Sequence, residues 1–360
     1  MGNERRLILA INPGGTSTKV GLFDNTELLF EENIRHMPEE MAKYDTTIQQ
    51  LEMRRDIILE RLEKAGYEVS DLTAVVGRGG AFKPLKSGTY GVNEKLIEDI
   101  IDGSSLQADH PSNLGALLAD SIAGDSEAGG FIVDPVCVDE MIEEARLSGL
   151  PALPRNSLSH ALNIRMVAYK AAEKLGRELS DINLVVLHLG SGISVNALRK
   201  GRMIDTNQAN DGGPFSPQRV GSLPTTGLVK MCLEGNYTWK EMKKMLLKQG
   251  GLYAYTGTDH VGEARKRAEK GDEECDLALR AMVYQITKEA GAMAAAMAGD
   301  VDAVVITGGI ANNEWVVDEL SRNLGFLGEI VVFPGEDELE ALMRGVLRVL
   351  NSVEEVKEYK

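Results

Sequence analysis

Two stretches of this chain carry residue types that can grip phosphate: Asn12-Pro13-Gly14-Gly15-Thr16-Ser17-Thr18-Lys19 near the start and His188-Leu189-Gly190-Ser191-Gly192-Ile193-Ser194 near the middle. Glycine lets backbone N–H groups approach an anion closely, and Ser and Thr hydroxyls add donors. Laid over each other without a gap, the stretches put Gly14 on Gly190 and Leu22 on Leu198. An apolar strand leads into each (Leu7 to Ile11, Leu184 to Leu187), and Asp24-Asn25 or Arg199-Lys200-Gly201 supplies the closing turn. Either hairpin alone reads equally well as a Gly-rich turn with surface hydroxyls. The repeat, joined by Thr307-Gly308-Gly309 after a hydrophobic strand, points to a nucleotide cleft. No Gly-Lys dipeptide and no post-strand GxGxxG occurs, so the Walker and dinucleotide motifs are excluded.

Three further residues could act on a phosphoryl group. Arg78 lies among glycines directly after the strand Ala74 to Val76, and Arg219 lies in the long irregular region Asp205 to Thr226. Arginine suits bidentate capture of carboxylate or phosphate. The alternatives are a loop-holding ion pair for Arg78 and a plain surface cation for Arg219. Asp134 ends the strand Phe131 to Val133 and precedes a proline, a position suited to a Mg²⁺ shell or equally to a turn. The five histidines (His36, His110, His160, His188, His260) have no metal-ligand spacing and read as hydrogen-bonded structural residues. Trp239 and Trp315 read as packing.

The elements that must position these groups repeat in each half. The first half gives the strand–turn–strand unit, a strand near Leu28 to Glu31, and a helix with Ile48, Leu51, Arg55, Ile58, Leu62 and Ala65 on one face, stopped at Gly66. The second half repeats the hairpin, then offers a buried helix over Leu277 to Ala298 and strands at Ala303 to Ile306 and Ile330 to Phe333. Its last helix has Leu339, Leu342, Val346 and Val349 on one face. Gly149 to Pro154 reads as the linker, which predicts domains over 1–150, rejoined by the C-terminal segment, and 151–360. With 360 residues, two cores are expected. A net charge of −16 opposes nucleic acid and anionic membranes, although a local cluster of cations can still hold ATP. Three scattered cysteines, a polar start and the absence of a membrane-length apolar run predict a cytoplasmic protein.

The ordered set Asn-Pro-Gly-x-Thr-Ser-Thr-Lys, Arg-Gly-Gly, Val-Asp-Pro, Ser-x-Ser-His-Ala, His-Leu-Gly-x-Gly-Ile-Ser, Pro-x-Arg-x-Gly and Thr-Gly-Gly-Ile resembles the acetokinase family over nearly the whole chain. Within the family it is most similar to the butyrate kinases. The resemblance implies an α/β, duplicated actin-like ATPase (ribonuclease H-like) fold with two domains around a nucleotide cleft. It also implies phosphoryl transfer between ATP and a short-chain carboxylic acid with Mg²⁺, and a homo-oligomer. It places Arg78, Asp134 and Arg219 in catalysis, and Asn12, Arg78, His110, Asn156 and His160 at the acid. Gly14, Thr16, Ser17, Lys19, His188, Gly190, Ser191, Gly192, Ser194, Asp259, Gly308, Gly309 and Ile310 fall at the nucleotide, with Asn12 and Asp134 at the metal. Two departures from the acetate kinase pattern favour the butyrate type. Asn156 stands where acetate kinases have a histidine, and Ala311-Asn312 stands where they have Gly-Glu.

An ionised acid needs no general base, because its pKa lies near that of Glu, about 4.3. The chemistry then demands in-line positioning and absorption of charge, which arginines and N–H groups provide. A sugar kinase would instead need an aspartate base, for which Asp134 could serve, and a non-catalytic actin-like module would need neither.

Overall fold

The computed structural model describes residues 5–107, 109–124 and 126–360. The chain divides into two units, one running to Asp139 and completed by Asp337–Lys360, the other Glu140–Glu336. The stretch Gly149 to Pro154 thus lies inside the second unit, where Leu153 folds back onto Leu150 through a backbone bond of 2.9 Å.

The strands of the first unit are β1 (Leu7–Pro13), β2 (Ser17–Asp24), β3 (Glu27–Arg35), β4 (Ala74–Arg78), β5 (Thr89–Gly91) and β6 (Gly129–Val133). The second unit contributes β7 (Asn183–Leu189), β8 (Ile193–Arg199), β9 (Arg202–Thr206), β10 (Ala303–Gly308) and β11 (Glu329–Pro334), and β12 (Lys357–Glu358) returns to the first. The sheets run β12-β5-β6-β4-β1-β2-β3 and β11-β10-β7-β8-β9. In both, three antiparallel strands are followed by parallel pairings: β1 with β4 and β4 with β6, matched by β7 with β10 and β10 with β11. β1, buried along its whole length, and the near-continuous apolar run of β7 follow from this, since strands covered on both faces need no polar alternation.

The ungapped repeat conceals one difference. In the first hairpin Asn12 pairs with Lys19, so an identical second hairpin would put His188 opposite Val195; His188 instead pairs with Ser194. The second turn is therefore shorter by one residue, and a register change of one moves each side chain to the other face.

Two expectations need correction. On the helix Leu51–Lys64 the buried residues are Arg54, Ile58 and Leu62, whereas Arg55 turns outward to pair with Asp56 at 3.0 Å. The 3.6-residue period admits either position, and the apolar pattern alone gave no reason to bury a charge. Trp239 is not packed: it opens the helix Trp239–Lys248, which buries only Met242, and is 75% exposed.

Candidate active site

The open sheet of the first unit brings three side chains to adjacent strand ends. Ile11 pairs with Gly77 and Arg78 with Val133, so Asn12, Arg78 and Asp134 stand at the carboxyl ends of the parallel neighbours β1, β4 and β6. That is where open α/β sheets bind ligands. The loop after Arg78 fits tightly against the loop after β6, because a Cβ on Gly79 would lie 2.4 Å from the Pro135 ring. Arg78 Nη1 contacts Glu338 Oε1 at 2.6 Å and reaches Asn12 Oδ1 at 3.5 Å, while Asn12 Nδ2 donates to Glu338 Oε2. The loop-holding ion pair considered for Arg78 is thus present. Its buried Nε–H still has no hydrogen-bond partner among the described residues, which leaves a donor for a ligand.

Asp134 is buried and adopts φ 38°, an uncommon backbone state for a non-glycine residue. Its Oδ1 accepts from Gly88 N–H at 2.7 Å, and its own N–H donates to Gly88 carbonyl at 3.0 Å. The turn considered for Asp134 is thus present, with its carboxyl group at the end of β6. At His110 the Nδ1 accepts from Ser112 N–H at 3.2 Å, which assigns the ring proton to Nε2 and makes that atom a donor. The residue is solvent-exposed, yet desolvation first and then the Arg78 charge lower its pKa. At the hairpin tip, Gly14 N–H closes the turn onto Ser17 carbonyl at 2.8 Å, Thr16 is exposed, and Lys19 projects into solvent opposite Asn12.

The second unit gathers its own candidate residues at the corresponding strand ends. His188, next to last in β7, pairs with Thr307 of β10, so Gly308, Gly309 and Ile310 follow directly alongside the second hairpin. The buried His188 ring bonds through Nδ1 to Asn163 Oδ1 at 2.8 Å and stacks on His160 with centroids 3.8 Å apart. His160 Nδ1 in turn meets Ser194 Oγ at 2.9 Å. His188 Nε2 lies 3.1 Å from Glu336 Oε1, although out of line for a hydrogen bond.

Arg219 is held against the turn itself. Ser216 Oγ donates to Ser191 carbonyl at 2.6 Å and accepts from Arg219 N–H at 3.1 Å, which ties the arginine loop to the hairpin. A Cβ on Gly192 would lie 2.3 Å from Arg219 Nη1, so only glycine leaves room for the guanidinium. Burial lowers the Arg219 pKa, and among the described residues no carboxylate pairs with it. The surface-cation alternative does not hold. Gln218 Nε2 binds Asp259 Oδ2 at 2.6 Å, which anchors Asp259 to the same loop, and the exposed Asn156 accepts from Gln208 Nε2 at 2.9 Å.

Two residues escaped the sequence reading. Glu338, which joins Arg78 to Asn12, opens the last helix inside the run Glu336-Asp337-Glu338; acidic residues after a strand end were its only signal. Arg54, buried under the first hairpin, had none. Among the described residues no cluster of three or more His, Cys, Asp or Glu could cage a metal. Mg²⁺ takes one or two carboxylates and completes its shell with substrate phosphates and water, so the oxygen donors of Asn12, Asp134 and Glu338 suit it chemically.

Residues 155–336 match the model of the Acetokinase family. Three crystal structures are similar over almost the full chain. Porphyromonas gingivalis acetate kinase has a TM-score of 0.76 at 19% identity and covers 96% of this chain and 100% of its own. A propionate kinase from Francisella tularensis subsp. tularensis SCHU S4 gives 0.74 at 20%, with 94% and 98% covered. Acetate kinase from Entamoeba histolytica gives 0.76 at 16%, with 94% and 98% covered. Together with the two matching sheets, these likenesses identify the duplicated actin-like ATPase fold.

Proposed function

The chain belongs to the acetokinase family, and on that premise we propose that it transfers a phosphoryl group between ATP and a short-chain carboxylate by direct in-line displacement. The observation that carries this reading is Arg219, a desolvated guanidinium with no carboxylate partner among the described residues, pressed against a Gly-Ser-Gly turn. A half-buried, desolvated cation in that state calls for an anionic ligand.

Arg219 and the donors of the second hairpin hold the nucleotide phosphates, and Gly308 to Ile310 with Asp259 line the nucleoside. Arg78, through its unpartnered Nε–H, and His110, through Nε2–H, orient the acid and the reacting phosphoryl oxygens. Glu338 keeps the Arg78 fork fixed, so little reorganisation is needed as charge develops. Asp134 and Asn12, with Glu338, would hold Mg²⁺, which when bound neutralises charge on the phosphoryl oxygens. The acid arrives ionised, and no residue has to remove a proton from it.

Within the class, we propose butyrate or a branched short acid as substrate, supported by Asn156 and by Ala311-Asn312 at the two positions that depart from the acetate kinase pattern. Acetate or propionate is the second reading, favoured by the likeness to solved acetate and propionate kinases. ADP release measured with separate C2–C6 acids and with a set of sugars tests the proposal. Acid-dependent release is expected; release with sugars alone would overturn it.

A further inference from the structure

The first hairpin rests on a buried cation that the chemistry above does not use. Arg54, on the helix Leu51–Lys64, is 1% exposed and has no carboxylate partner among the described residues. Its Nη2 donates to Gly14 carbonyl at 2.9 Å and its Nη1 to Ser17 carbonyl at 3.2 Å and Thr18 Oγ1 at 2.8 Å. Gln50 Oε1 accepts from the remaining side of the fork, at 3.1 Å from Nε and 2.8 Å from Nη2. Thr18 Oγ1 also meets His36 Nε2 at 2.8 Å, and His36 N–H takes Thr16 carbonyl at 2.9 Å.

Stability alone gives no reason for this arrangement, because an unpaired buried charge costs more to desolvate than an apolar side chain of similar size. A bound anion gives one. Carbonyl oxygens repel phosphate, and the contacts of Arg54 and His36 occupy those of Gly14, Thr16 and Ser17 at the turn. The guanidinium also sets a permanent positive charge within hydrogen-bond distance of that turn, and the Arg219 guanidinium lies against Gly192 of the second. Arg54 is pulled to a pKa of about 10 by burial and stays charged at neutral pH.

We propose that Arg54 is the positioning residue of the first hairpin, withdrawing its carbonyls and supplying the buried charge that favours nucleotide phosphate there. The inference rests on the reading of that hairpin as a phosphate loop. It is tested on the full chain with Arg54→Met, Arg54→Lys and Gln50→Leu beside Arg219→Ala, by calorimetry with ADP and by KM for ATP and for the acid. Arg54→Met is expected to weaken ADP and raise KM for ATP about 10- to 100-fold, the scale of lost charge-assisted hydrogen bonds. KM for the acid should stay within about twofold. Arg54→Lys keeps the charge without the fork and falls between. If Arg54→Met does not fold, Gln50→Leu, which frees one side of the fork without touching the hairpin, should still raise KM for ATP several-fold. Wild-type ADP affinity and KM for ATP in the folded variants, with only thermal stability reduced, overturn the inference. Wild-type turnover in Arg219→Ala instead overturns the functional reading, so the two failures are distinguishable.

Discussion

One substitution separates the turn contacts of Asp134 from the role in phosphoryl transfer proposed for it. Its Oδ1 secures Gly88 N–H, which an asparagine oxygen can still do, and asparagine tolerates the positive φ at this position. Asp134→Asn should therefore keep its unfolding midpoint within about 2–4 °C, the shift that 1 kcal/mol produces in a chain of domain size. Turnover should fall by about 100-fold or more, on the scale of one lost electrostatic stabiliser. Full activity would return Asp134 to a purely turn-forming role. The histidines give a second prediction. Burial first and then Arg54 lower the His36 pKa, while desolvation first and then Arg78 lower that of His110. With folded values depressed, the unfolded chain binds protons first, so their contribution is complete above about 6.5 and is lost as pH falls through it. Denaturant titrations between pH 8 and 5 should show stability declining on the acid side, and His36→Gln should flatten that slope; an unchanged slope contradicts the assignment.

At the level of elements, the arginine loop and the second hairpin form one device through Gly192. An alanine Cβ there would meet Arg219 Nη1 at 2.3 Å and Cζ at 2.4 Å, and the flexible end of the arginine must swing away. Gly192→Ala is expected to reproduce the turnover loss of Arg219→Ala, about 2–4 kcal/mol of barrier. The double variant should be no worse than either single one, as coupled sites require. Additive losses would show that the two act independently. Hydrophobic pattern and turn chemistry made β1, β2, β7, β8, β10 and the strand-end position of Asp134 legible in the sequence. They could not reveal Arg54, because a helix face of that period accommodates a neighbouring position equally well. Glu338 was equally hidden: its partners Asn12 and Arg78 are remote in sequence, and only tertiary packing brings them together.

For the molecule as a whole, duplication explains why the candidate clusters of the two units look alike. Each unit sets its hairpin and adjacent parallel strand ends on the same sheet plan, so Asn12 and His188 occupy corresponding ends of β1 and β7. An acidic chain of net charge −16 can still hold anions, because the local donors Arg54, Arg78 and Arg219 are desolvated or fixed in place, where each counts for more than a surface charge. The most direct test of the central claim is to trap the product. Incubation with ATP, Mg²⁺ and hydroxylamine across C2 to C6 acids should give an acyl hydroxamate in proportion to ADP, with the yield peaking at one chain length and falling steeply in Arg219→Ala. ADP release without hydroxamate from any acid would contradict transfer to a carboxylate.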